Sequence, residues 1–187
     1  MQSLPHEVER RYKVKESDLP EIRTKLSRLG FEQAYVQHQA DEYFTSRHKD
    51  FIASEECLRI RSVDSATILT WKPPTTDEMR IAPEFWKQEL EFPVDASPEM
   101  VRQFLVALDF ISYTVVDKVR NTYRDQSGVE VSIDQVDRLG TFIEIEIKSM
   151  DVEQARQDLV QVAKELTLDD GDISIVPYRD LVKPGKS

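Results

Sequence analysis

Apolar and polar residues alternate with period two along most of this chain. From Leu4 to Val14, Glu7, Glu9, Arg11 and Lys13 fall on one side of an extended backbone, and Val8, Arg10, Tyr12 and Val14 fall on the other. Tyr35 to Phe44 follows, with Asp41, Tyr43 and Thr45 opposed to Glu42 and Phe44. Cys57 to Val63 sets Arg59 and Arg61 against Leu58 and Ile60, and Ala66 to Lys72 sets Ile68, Thr70 and Lys72 against Leu69 and Trp71. Trp86 to Val94 places Lys87, Glu89 and Glu91 opposite Gln88, Leu90 and Phe92. Ser112 to Asp125 groups Lys118, Arg120, Thr122 and Arg124, with Val115, Val119 and Tyr123 behind them. Val129 to Asp134 and Thr141 to Lys148 complete eight predicted strands. Turn signals at Asp64-Ser65, Pro73-Pro74, Gln126-Ser127-Gly128 and Leu139-Gly140 separate several of them.

Three stretches repeat at helical spacing instead. Leu19, Ile22, Leu26 and Leu29 follow a cap at Ser17 or Asp18 and stop at Gly30. Ser97-Pro98-Glu99 opens a second helix, with Met100, Val101, Phe104, Leu105 and Leu108 as its apolar stripe, and a third runs from about Val152 to Leu166. Thr75 to Pro83 has no period and reads as a mobile loop; Gly171 to Ser187 reads as a tail containing Tyr178-Arg179-Asp180-Leu181. The predicted class is α+β: an eight-stranded antiparallel β-barrel, closed around a narrow lumen, with helices covering its apolar outside. An open sheet with its charged face in water has the same periodicity, so alternation alone does not separate the two.

Charge does. Of 25 basic and 35 acidic residues, the polar strand faces take ten basic (Arg11, Lys13, Arg59, Arg61, Lys72, Lys87, Lys118, Arg120, Arg124, Lys148) and eight acidic (Glu7, Glu9, Glu89, Glu91, Glu130, Asp134, Glu144, Glu146). Cations are drawn onto the strands of a chain whose net charge is −10. Guanidinium and ammonium groups neutralise phosphate oxygens, and carboxylates hold hard divalent cations, so a lumen rich in both suits a polyphosphate with its metal. The same net charge argues against nucleic acid as a partner. At 187 residues and 40% apolar, one domain spanning residues 1–187 is expected. The single Cys57 forms no internal disulfide and reads as a strand filler, and no N-terminal apolar run resembles a signal peptide or membrane span, so the cytoplasm is the expected compartment. His6, His38 and His48 have no metal-ligand spacing. Trp71 and Trp86 are expected to pack outward.

With these residues in place, the chain resembles the CYTH superfamily, the triphosphate tunnel metalloenzymes, on the side of the class IV adenylyl cyclases. Glu7-Val8-Glu9-Arg10-Arg11 resembles the family's N-terminal E-x-E-x-K signature. Leu58-Arg59-Ile60-Arg61, Leu69-Thr70-Trp71-Lys72, Lys87-Gln88-Glu89-Leu90-Glu91, Lys118-Val119-Arg120 and the run from Asp134 to Glu146 follow in the family's order. The resemblance implies that Arg59, Arg61, Lys72, Lys87, Lys118 and Arg120 grip a triphosphate and that Glu7, Glu9, Glu89, Asp134, Glu144 and Glu146 hold Mg²⁺ or Mn²⁺. It places Arg11, Lys72 and Arg120 at the catalytic centre. Arg11 stands where the signature has lysine, which keeps the charge and removes a titratable amine; Lys13 shares its predicted face as a substitute. Tyr178 resembles a C-terminal family tyrosine, for which core packing is expected.

The first function implied is a class IV adenylyl cyclase-like reaction, ATP giving cyclic AMP and pyrophosphate. The second is hydrolysis of inorganic, thiamine or nucleoside triphosphate, and the third is a non-catalytic module that binds polyphosphate or nucleotide. The partner is a small-molecule triphosphate in each case, with no membrane and a monomeric or homodimeric chain.

Overall fold

The computed structural model describes residues 5–76, 79 and 85–182. Among these, nine strands form one antiparallel sheet: β1 (His6–Val14), β2 (Glu32–Ser46), β3 (Cys57–Val63), β4 (Ala66–Lys72), β5 (Phe85–Gln88), β6 (Leu90–Val94), β7 (Phe110–Arg124), β8 (Glu130–Val136) and β9 (Gly140–Ser149). Their order is β5-β1-β9-β8-β7-β2-β3-β4-β6. The two edge strands are consecutive in the chain and meet at Glu89, so the sheet curls into a nearly closed barrel whose last seam is covalent chain and not a hydrogen-bonded ladder. The predicted strand over Trp86 to Val94 is therefore two. Trp86 pairs with Val8 of β1, whereas Leu90 pairs with Trp71 of β4. The inward side of the alternation passes through Glu89 unbroken, and that is why periodicity registers a single strand.

Helices α1 (Leu19–Arg28), α2 (Pro98–Ala107) and α3 (Val152–Glu165) lie where the 3.6-residue spacing puts them. Ser97 and Asp151 cap α2 and α3 by accepting the main-chain N–H of Met100 and Gln154. The predicted Ser17 or Asp18 cap makes no such bond to α1, whose N-terminal residue Leu19 is followed by Pro20. Leu19, Ile22, Leu26, Leu159 and Ala163 close over Val8, Tyr12, Val131, Ile133, Ile143 and Ile145, forming the main core on the outside of β1, β8 and β9. Val101 and Leu105 of α2 seat on Phe44, Leu58 and Ile60. Only that half of the predicted α2 stripe is buried: Met100 and Phe104 are each 62% exposed, because they sit one residue round the helix from the contact line. Val36 and Val115 also remain exposed, so the helices cover the barrel wall in two patches. Trp71 and Trp86 pack outward into the two clusters, as expected.

The predicted loop over Thr75 to Pro83 lies largely outside the described residues. The predicted tail does not hang free: Ser174 donates its N–H to Arg11 O at 2.8 Å, and the short helix α4 (Tyr178–Leu181) tucks the buried side chains of Tyr178 and Arg179 against the barrel.

Candidate functional site

The inward faces enclose a cavity of about 320 Å³. Its lining includes nine of the ten predicted cations, joined by Arg179, and seven of the eight predicted carboxylates, joined by Glu55; Tyr35, Tyr43, Cys57, Thr75, Pro177 and Tyr178 complete it. Arg124 pairs with Glu130 at the exposed rim, where Lys148 also lies 62% exposed beside Glu146. Lys13 is the missing cation. Beyond Arg11 the lumen ends under the C-terminal segment, and Lys13 points to the surface with its ammonium 5.8 Å from the Phe142 ring, so it does not stand in for the signature lysine.

The buried charges are organised in two groups. In the first, Asp134 accepts Nε and Nη2 of Arg120 at 2.7 and 2.6 Å and Nζ of Lys118 at 2.9 Å. Glu144 takes Arg120 Nη2 at 2.7 Å on one oxygen and Arg11 Nε at 3.0 Å on the other. Burial raises a carboxyl's pKa, but here the adjoining guanidinium groups outweigh it and both acids are held below the usual range. Asp41, which sequence reasoning left out of the site, does the same for Arg61, accepting at 2.7 and 2.8 Å. Its role is legible only across strands, since Asp41 is the cross-strand partner of Arg61.

The second group is richer in acid. Lys72 Nζ lies 2.5 Å from Glu7, 3.5 Å from Glu89 and 4.0 Å from Glu9. Burial and then the neighbouring Glu7 push the Glu89 carboxyl up to about 8, and burial with Glu7 raises Glu146 well above its ordinary value. Burial and then Glu144 raise Glu9. Among the described residues, no three carboxylate, imidazole or thiol donors already form a metal cage. Carboxyl groups are nevertheless crowded at this end: burial and neighbouring carboxylates push Glu9, Glu89 and Glu146 upward, and the Lys72 ammonium is shared by Glu7, Glu9 and Glu89. That donor set, all hard oxygen, fits Mg²⁺ or Mn²⁺. Asp134 is placed differently from the ligand role the resemblance implies: it is fully buried behind Arg120 and Lys118, with both oxygens engaged.

Arg11 is also fully employed. Besides Glu144 it donates to Glu9 at 3.1 Å and to Val176 O at 3.4 Å, and its guanidinium carbon lies 4.2 Å from the Tyr178 ring centroid. Tyr178 packs on Phe142 as a core residue would, and it also floors the cavity. Arg59 spans the middle, reaching Asp41, Glu89 and Glu91 at 3.3–3.5 Å. Lys87 Nζ is held by Glu55 O at 2.8 Å and Pro73 O at 3.1 Å. The three histidines contribute no lining side chain, and among the described residues no helix is long and apolar enough to cross a membrane.

The CYTH domain model matches residues 5–174. A protein of Methanocaldococcus jannaschii named "Putative adenylate cyclase" is 29% identical over 177 residues, covering 93% of this chain and 98% of that one. The PH1012 protein of Pyrococcus horikoshii superposes with a TM-score of 0.80 at 26% identity, over 95% of this chain and 99% of its own. A Hippeastrum protein, described as an adenylyl cyclase candidate with a dominant triphosphatase activity, shares the fold at a TM-score of 0.63 and 20% identity, over 88% and 89% of the two chains.

Proposed function

This chain belongs to the CYTH domain family, and from that premise we propose a metal-dependent enzyme that holds a triphosphate inside the barrel and hydrolyses its terminal phosphate. The observation that carries the reading is the lining itself. Ten cations and eight carboxylates share one cavity with three tyrosines, and none of the described lining residues is Asn, Gln, Val, Leu, Ile or Met. Recognition in such a space falls on phosphate oxygens.

Arg59, Arg61, Lys72, Lys87, Lys118 and Arg120 bind and orient the phosphate chain, using the donors that face the lumen. Glu7, Glu9, Glu89 and Glu146 would hold a divalent cation, which when bound would supply neutralisation of charge on the phosphate oxygens. Glu144, Asp134 and Asp41 position the guanidinium groups, and Arg11 positions Glu9 and Glu144 instead of touching substrate. Lys72 and Arg120, each shared between a carboxylate group and the lumen, stabilise the leaving diphosphate. Water attacks the terminal phosphorus, the bridging P–O bond breaks with its electron pair going to the departing diphosphate, and the proton released from water passes to a phosphate oxygen or to solvent; the side chains contribute placement and electrostatics. The free, buried Cys57 supports a reducing, cytoplasmic setting.

The second reading is cyclisation of ATP, supported by the printed name of the M. jannaschii relative and by the Tyr35 ring in the lining, a surface on which adenine could stack. Incubation with inorganic triphosphate, thiamine triphosphate and ATP in Mg²⁺ or Mn²⁺, followed by product analysis, separates the two. Orthophosphate is the expected product. Cyclic AMP with pyrophosphate selects the second reading, and tight binding without turnover overturns both in favour of a binding module.

A further inference from the structure

Arg179 and Lys87 differ in what holds them from the lining cations of β1, β3, β4 and β7. Arg179 comes from α4, near the end of the described chain, and is 5% exposed. The lining cations of β1, β3, β4 and β7 donate to carboxylates. Arg179 Nη1 instead donates to the main-chain oxygen of Glu56, just as Lys87 Nζ donates to those of Glu55 and Pro73. A carbonyl fixes a cation in place without cancelling its charge. Arg179 Nε is buried with no hydrogen-bond acceptor, Asp180 Oδ2 being 3.6 Å away. Buried donors in folded proteins nearly always have a partner, so an orphan on the wall of a charged cavity marks a place for a ligand oxygen. With Nη1 tied to Glu56, the Nε edge is left, and that edge pairs side-on with a phosphate. Burial and then the charge of Arg179 bring the Lys87 ammonium down to about 8, which accords with two cations sharing one region.

We propose that Arg179 and Lys87 form one anion subsite that takes a terminal phosphate of the bound triphosphate, with position 179 as a substrate-binding residue supplied by the C-terminal helix. The inference rests on the triphosphate reading of the cavity given above.

The test is calorimetric titration of the full chain with inorganic triphosphate in chelating buffer, using wild type, R179Q, K87Q and the double variant. Each single substitution is expected to weaken binding about tenfold, the order of a charge-assisted contact. The double variant is expected to fall well short of the product of the two losses, because both remove one shared group. Wild-type affinity in R179Q, or losses that multiply, overturns the subsite. If R179Q does not fold by thermal melting, R179K keeps the charge and loses the side-on edge: weakening of several-fold supports the subsite, and unchanged affinity overturns it. A wild-type chain that binds no triphosphate overturns the underlying reading as well, whereas wild-type binding with an unaffected R179Q removes the subsite alone.

Discussion

Arg120 and Asp134 face each other across β7 and β8 and close a two-pronged ion pair, Nε to Oδ1 at 2.7 Å and Nη2 to Oδ2 at 2.6 Å. Lys118 completes the triad on the same Asp134 oxygen. Asp134→Ala removes the carboxylate that Lys118 pairs with and leaves Arg120 beside it with Glu144 alone, which is expected to cost about 3–5 kcal/mol of stability by urea denaturation. Mn²⁺ affinity, measured on the fraction that stays folded, is expected to be unchanged. A loss of Mn²⁺ binding with stability intact would return Asp134 to the metal shell.

Glu9→Gln and Glu146→Gln test the opposite end of the cavity. Burial raises both carboxyls, so an uncharged amide of the same shape relieves a desolvation cost and the melting temperature is expected to stay near wild type. Metal-dependent turnover of triphosphate is expected to fall by about two orders of magnitude or more, since several kcal/mol of charge stabilisation depend on the bound cation. Unchanged rates would remove these carboxylates from the site.

Lys72→Met takes away the one ammonium that Glu7, Glu9 and Glu89 share. Mn²⁺ binding without triphosphate is expected to tighten, because the metal no longer competes with a resident cation. Triphosphate binding in chelating buffer is expected to weaken about tenfold. Both are read by calorimetry, and a fall in Mn²⁺ affinity would contradict the arrangement.

Lys118 sets a pH dependence. Burial and then the charge of Arg120 lower its pKa to about 8. The protonated ammonium is the form that binds phosphate, so triphosphate affinity in chelating buffer is expected to decline as pH rises through about 8, with proton uptake on binding at the alkaline side. Calorimetry in buffers of different ionisation enthalpy reads that uptake directly. Lys118→Met is expected to shrink the decline to the part that Lys87, also lowered to about 8, carries; a profile identical to wild type would show that the Lys118 amine stays clear of the ligand.

The inward faces of β1, β3, β7, β8 and β9 were legible because a barrel strand has one polar and one apolar side, and period two records that directly. Glu89 shows where the signal stops: alternation continues through it while the hydrogen-bonding partner changes from β1 to β4. Asp41 and Arg179 depend on distant partners, Arg61 and the main chain of Glu56, and no local pattern announces such pairs. Lys13 obeyed the alternation and still fell outside, since the lumen is cut short by a segment more than 150 residues later in the chain. The carboxylates were visible as residues but not in their division of labour. Which of them answer to guanidinium groups and which remain free for a cation is set by neighbours across the sheet.

In the proposed function a triphosphate lies inside the barrel with its cation at the Glu7 end. A crystal structure with inorganic triphosphate and Mn²⁺, phased on the manganese signal, tests it most directly. Phosphate density against Arg59, Lys118 and Arg120, with manganese bound by Glu7, Glu9 or Glu146, is the predicted result. Manganese or phosphate found only on the outer surface, with the lumen closed by its own ion pairs, would contradict it.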